Sequence, residues 1–168
     1  MSSIRLTNTS YAVLGLVREC QPATPYALKN FAQQSVFHFW SLPHTQMYSE
    51  CARMAEAGYL SEERELTGRR RRVYSLTDAG RSALEAWCAD PSGALYELRD
   101  IGLLKLFLGG DPAALAESQV AAHSERLQAF EQLHASYGAK MPLGQRLALE
   151  GGIKHERQYI ELWGELRK

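Results

Sequence analysis

Apolar positions recur at helical spacing along most of this chain and change to strand-like alternation in one stretch only. Tyr11, Leu14 and Val17 mark one face of a first helix ending near Glu19. Asn8, Thr9 and Ser10 are its N-cap candidates, and Cys20-Gln21-Pro22 closes it, because proline cannot continue the ladder. Thr24-Pro25 reads as an N-cap followed by proline at the first helical position. The second helix it opens runs to about Gln34, with Tyr26, Leu28, Phe31 and Ala32 as the buried face. An aromatic run, Phe37-His38-Phe39-Trp40, leads through Ser41-Leu42-Pro43 into a third helix from about His44 to Ala57. Met47, Cys51, Met54 and Ala55 form its apolar stripe, leaving Gln46, Ser49, Glu50 and Arg53 to face elsewhere. Gly58 is placed as the glycine just past its end.

Two short strands follow, Leu60 to about Leu66 and Arg70 to Leu76, joined at Thr67-Gly68. Thr77 caps a further helix to about Cys88, with Asp78 in its first turn, and Asp90-Pro91-Ser92-Gly93 is the clearest linker. Beyond it the pattern is helical throughout. Leu98, Ile101, Leu104, Leu106 and Leu108, within a helix over Leu95 to Leu108, are spaced for burial on more than one side. Gly109-Gly110-Asp111-Pro112 then starts a long helix to about Tyr137, striped by Leu115, Val120, Leu127, Phe130, Leu133 and Tyr137. After Met141-Pro142-Leu143 a last helix carries Leu147, Leu149, Ile153, Tyr159, Ile160, Trp163 and Leu166. Two long striped helices with no third to complete a bundle favour a partner helix, hence a dimer. The fold class expected is mainly α with a small β-hairpin. A winged helix-turn-helix unit over residues 1–90 precedes an all-helical dimerisation unit over residues 91–168.

Charge sharpens this reading. The formal net charge is zero, yet four arginines, Arg69 to Arg72, stand consecutively on the second strand. Guanidinium groups on a rigid hairpin reach phosphates or enter a groove, whereas the ordinary reading of such a run is a solvated patch. Strand alternation puts Arg70 and Arg72 with Tyr74 and Leu76, and Arg69 and Arg71 with Val73. Arg69 and Arg70 are therefore the preferred DNA contacts, with Arg71 next. Arg72 is as well placed to pack on Tyr74 or bridge to Glu62 or Glu63, since Glu62, Glu63 and Glu65 neutralise part of the hairpin. The start of the third helix offers His44, Thr45, Gln46, Tyr48, Ser49 and Arg53. Gln46 suits an adenine edge, Arg53 a phosphate or guanine, and Thr45 and Ser49 phosphates.

Other chemistries find no support. The three cysteines, Cys20, Cys51 and Cys88, are widely spaced and read as reduced packing residues. The five histidines show no metal-ligand spacing, and no phosphate loop or nucleophile motif is present, so neither metal, cofactor nor enzymatic activity is expected. No apolar run is long enough to span a membrane, and nothing resembles an export signal, so a cytoplasmic protein is expected.

With these residues in view, the chain resembles the PadR family of bacterial transcription regulators. The resemblance rests on Tyr11-Ala-Val-Leu-Gly-Leu, Thr24-Pro25-Tyr26-Ala27-Leu28, Trp40 to Tyr48, Ala57-Gly58-Tyr59-Leu60, and Arg72-Val73-Tyr74-Ser75-Leu76-Thr77-Asp78-Ala79-Gly80. It continues in Leu98 to Phe107 and Glu156 to Trp163, which look like the family's helical dimerisation region in its longer form. Cys51 and Met54 depart from usual leucines, and Ser49 from a frequent proline. The resemblance implies a homodimeric repressor on a double-stranded, pseudo-palindromic operator, with Tyr48 on the recognition helix. It further implies a pocket for a small aromatic effector between the winged helix and the C-terminal helices. Phe37, His38, Trp40, Trp87, Tyr96 and Trp163 are its candidate lining, with core packing the alternative for each. The competing reading is a small-molecule sensor or scaffold on the same fold that does not bind DNA.

Overall fold

The computed structural model describes residues 4–36, 39–40, 42–64, 71–93 and 98–167, and the backbone alone of His44. The chain divides into two compact units, Met1–Ala94 and Leu95–Lys168.

The first unit contains α1 (Asn8–Cys20), α2 (Pro25–Gln33), α3 (His44–Glu56), β1 (Leu60–Arg64), β2 (Arg72–Leu76) and α4 (Asp78–Ala89). Its core is Val13, Leu14 and Val17 from α1, Leu28 and Ala32 from α2, and Met47, Cys51 and Met54 from α3. Leu60, Tyr74, Leu76 and Leu84 close it from the hairpin and α4. Thr7, not Asn8, Thr9 or Ser10, is the N-cap of α1. Its side chain accepts from the Ser10 backbone while Ser10 reaches back to the Thr7 amide. Tyr26, expected in the core, is 59% exposed. The nine-residue α2 turns Pro25, Leu28 and Ala32 inward, and Tyr26 sits most of half a turn from that face, with the Lys29 ammonium 5.9 Å from its ring centre.

The hairpin pairs β1 and β2 antiparallel, with Leu60 opposite Leu76, Glu62 opposite Tyr74 and Arg64 opposite Arg72. β2 starts at Arg72, later than the Arg70 that the sequence suggested, while the expected continuation of β1 from Arg64 to Leu66 lies outside the described residues. The expected turn at Thr67-Gly68, with Arg69 and Arg70, lies outside the described residues. The far edge of β2 is also satisfied. Tyr74 exchanges backbone bonds with Ala23 at 2.9 and 3.0 Å, and the Leu76 amide donates to the Gln21 side chain at 2.8 Å. Two glycines fix the hairpin's ends. Gly58 has φ 83°, the left-handed conformation that turns the chain out of α3. Gly80, in the first turn of α4, lies against the Tyr59 carbonyl beside the Thr77 cap.

The second unit is helical among its described residues: α5 (Ile101–Phe107), α6 (Pro112–Tyr137), a short 3-10 turn Gly138–Lys140, and α7 (Leu143–Glu165). The expected helix over Leu95 to Leu108 is corrected to seven residues, because Asp100 caps the Leu103 amide and sets the start at Ile101. Its leucines are not buried on several sides. Gly102 alone is fully covered, under Trp163, while Ile101, Leu104, Phe107 and Leu108 are exposed. The pairing of α6 with α7 buries Ala116, Phe130, Ile153 and Trp163, but Tyr137 and Leu147 from the predicted stripes are exposed. A polar tie crosses the same pair. Buried Glu156 of α7 lies 2.5 Å from the His123 ring and 3.5 Å from the Arg126 guanidinium, both on α6.

Candidate nucleic-acid interface

Helix α3 is amphipathic in a specific way. Met47, Cys51 and Met54 are fully buried, so the opposite face must be solvent-facing, and it carries Thr45, Gln46, Tyr48 and Ser49. Tyr48 is half exposed, and Thr45 and Gln46 are exposed. The Ser49 hydroxyl turns back on the helix, donating to the carbonyls of Thr45 at 3.0 Å and Gln46 at 3.1 Å. Its oxygen stays available as an acceptor, but its proton is committed. His44 opens α3 at a position whose side chain lies outside the described residues.

Arg53 does not join this face. Its guanidinium donates to both oxygens of Glu50, at 2.9 and 2.5 Å, to the Ser10 hydroxyl at 2.8 Å and to the Arg5 carbonyl at 3.4 Å. The expected base or phosphate contact is thus a guanidinium folded back toward α1. Spacing of two turns from Gln46 placed it near the exposed stripe, and the acceptors on and just before α1, more than 40 residues upstream, are invisible to periodicity. Burial pushes the Glu50 carboxyl up, but hydrogen bonds from Arg53 and Ser10, with the Arg53 charge, outweigh it and hold Glu50 below its ordinary value. Ser10 and Glu50 were not singled out by sequence as functional residues. The only signal was a serine at the third position of a capped helix.

On the wing, Glu62 gathers the polar groups. Arg72 Nη1 approaches it at 3.4 Å, Arg64 Nε at 3.7 Å, and the Tyr74 hydroxyl donates at 3.1 Å. Burial holds the Tyr74 phenol above its ordinary value, so it remains protonated and a donor to Glu62. Arg72 therefore serves the hairpin through Glu62, the alternative the strand alternation had offered. Arg71, just before β2, is exposed. The basic surface at the described edge of the wing is Arg71 with the outer faces of Arg64 and Arg72.

Of the aromatic residues considered for an effector, Phe37, His38 and Tyr96 lie outside the described residues. Trp87 stacks on Tyr11 within the first unit, ring centres 4.8 Å apart and planes 9° from parallel, and stays 44% exposed. Trp163 is fully buried in the second unit, and Trp40 is partly exposed. The cysteines divide as well: Cys51 is core, Cys20 half-buried, and Cys88 exposed, so Cys88 is not the packing residue expected. Among the described residues no cluster of histidine, cysteine or carboxylate side chains could hold a metal, and no helix is long and apolar enough to cross a membrane.

Two family models match. One, described as the transcriptional regulator PadR-like family, covers residues 13–86, and one described as the virulence activator alpha C-terminal region covers residues 98–166. The negative transcriptional regulator PadR of Bacillus subtilis is 23% identical over 165 residues, 89% of this chain and 90% of that protein. A probable transcriptional regulator of Mycobacterium tuberculosis is 29% identical over 166 residues, 90% of this chain and 86% of that protein. The crystal structure of Bacillus subtilis PadR in complex with operator DNA superposes with a TM-score of 0.80 at 21% identity, covering 94% of this chain and 96% of that one. The same protein in complex with p-coumaric acid gives 0.75 at 21% identity, covering 94% and 95%.

Proposed function

We propose that the chain, which matches the PadR-like family model over residues 13–86, is a PadR-like transcriptional regulator: a homodimeric DNA-binding repressor answering to a small aromatic effector. The observation that carries the reading is the division of α3. One face is buried in the core as Met47, Cys51 and Met54, and the other presents Thr45, Gln46 and Tyr48 to solvent. A helix of this length fits the major groove of B-form DNA, where glutamine and threonine can meet base edges and phosphates. Arg71 and the outer wing arginines supply the backbone contacts, and Arg69 and Arg70 join them at the tip in this reading.

The dimer follows from the second unit. Ile101, Leu104, Phe107 and Leu108 of α5 and its end, with Leu143 and Leu147 of α7, are large apolar side chains left in water. Such a concentration on one small helical unit is a surface that seeks a partner, and a second copy supplies two recognition helices for a pseudo-palindrome. The effector is taken to be a small aromatic acid, by analogy with the p-coumaric acid complex of the Bacillus subtilis protein. The reading assigns the protein no enzymatic step and places it in the cytoplasm, with its DNA.

A second reading, a sensor that has lost DNA binding, is favoured by Glu62, which neutralises Arg64 and Arg72. Selection of duplexes from a random pool decides between them. The Gln46→Ala variant should change the preferred base at one position, and Arg69→Ala with Arg70→Ala should weaken all duplexes and flatten the salt dependence. A protein that enriches no sequence and binds no duplex is the sensor.

A further inference from the structure

The side chains that hold α3 in the core are compliant. Methionine and cysteine decide which face of the helix is buried, but their adaptable packing tolerates small rotations about its axis. Rotation matters for a helix that reads base edges: about 20° moves a side-chain tip by roughly 2 Å on a helix of about 5–6 Å radius, well beyond what a bidentate hydrogen bond tolerates. Directional polar contacts are what set it. On α3 there is one such tertiary set, among the described residues: Arg53 to the Ser10 hydroxyl and the Arg5 carbonyl, with Glu50 clamping the guanidinium.

Ser10 is the fulcrum. It is fully buried, and its oxygen accepts from the Thr7 amide at 2.9 Å and from Arg53 at 2.8 Å, while the Thr7 hydroxyl stands 3.2 Å away. Two lone pairs are thereby occupied, so the hydroxyl is saturated as an acceptor and its orientation is fixed. The same atom is a member of the α1 capping box. The first turn of α1 and the last turn of α3 are thus bolted through one oxygen.

We propose that Arg53, through Ser10 and Glu50, is a positioning residue that sets the rotation of the recognition helix, and that it touches neither base nor phosphate. This rests on α3 being the DNA-reading helix. It assigns the arginine of the reading helix to specificity without contact, a role distinct from that of Gln46 or the wing arginines.

The test uses the full-length chain, wild type and with Arg53→Ala, Ser10→Ala, both together, and Glu50→Gln, against a duplex selected by the wild type and a scrambled duplex of equal length. Arg53→Ala should weaken the selected duplex about tenfold, roughly one charge-assisted hydrogen bond, and the scrambled duplex much less. The slope of affinity against salt should not change, because no phosphate contact is lost. Ser10→Ala should act in the same direction, and the double variant should be no weaker than Arg53→Ala alone. A slope lowered by about one unit, or an equal loss on both duplexes, makes Arg53 a phosphate contact and overturns the proposal. Additive losses, or losses that vanish well below the melting temperature, overturn it too. Glu50→Gln keeps the shape of the site, so a loss of discrimination there counts even if Arg53→Ala folds poorly. Amide exchange of the free protein gives a reading independent of DNA. Faster exchange in α3 than in α4 on Arg53→Ala supports the latch, and unchanged exchange in α3 refutes it, even for a protein that selects no duplex.

Discussion

Gly80 lies so close to the carbonyl oxygen of Tyr59 that a Cβ on it would stand 2.1 Å from that atom. The oxygen is backbone, it accepts from the Thr77 amide, and Thr77 at the same corner donates its hydroxyl to the Gly58 carbonyl at 2.7 Å while capping Gly80. The end of α3, the base of the wing and the start of α4 therefore meet at one point with no room for a side chain. Whatever fixes this corner fixes the hairpin relative to α3.

Gly80→Ala is expected to destabilise the first unit by about 2 kcal/mol or more, the cost of overpacking against backbone that cannot move aside. Thermal melts check it. Gly93→Ala is the control, since a Cβ there meets nothing within 4 Å, and it should melt as wild type.

The thiols should react in order of burial. Cys88 is exposed and should be modified at once at neutral pH, Cys20 more slowly, and Cys51 only on unfolding. Burial pushes the Cys51 thiol up to about 12, above the 9.0 of an ordinary cysteine. An unfolded chain therefore ionises Cys51 first, and stability that is intact below pH 9 should drain away as pH rises toward 12. Timed thiol titration with a chromogenic disulfide checks the order.

Glu50 should matter at neutral pH and stop mattering in acid. Its folded value is held below the ordinary 4.5, so its contribution is present above 4.5 and is lost as pH falls through the lower folded value. Glu50→Gln should thus melt below wild type at pH 7, and the gap should narrow as the pH drops below 4.5. Paired melts over that range check the sign.

The α5 surface predicts assembly. Ile101→Asp with Phe107→Asp replaces side chains that are 69% and 87% exposed, so the fold of the protomer should persist while the dimer dissociates. Light scattering should give twice the chain's mass for wild type and the single mass for the variant.

Much of this was legible in the sequence because it is local. Thr24-Pro25 marked the start of α2, Gly58 the end of α3, Thr77 the cap of α4 and Asp111-Pro112 the start of α6, each by chemistry acting within three or four residues. The buried stripe Met47, Cys51, Met54 followed from periodicity. What periodicity missed was the identity of distant partners. Tyr26 and Arg53 carry side chains whose direction depends on which elements lie beside them, and Ser10 is remote from Arg53 along the chain. The leucines of α5 misled for a related reason. Their spacing signals an apolar surface that must be covered, but not whether the cover is the same chain or another.

The central claim, that α3 and the wing bind duplex DNA, is tested most directly by titrating the protein into a labelled duplex it has itself selected, at several salt concentrations. The account predicts saturation at two protomers per duplex and an affinity that falls linearly with salt on logarithmic axes. It further predicts a shallower slope for Arg71→Ala and an unshifted slope with lost discrimination for Gln46→Ala. Failure to bind any duplex at low salt, or binding that neither substitution alters, would contradict it.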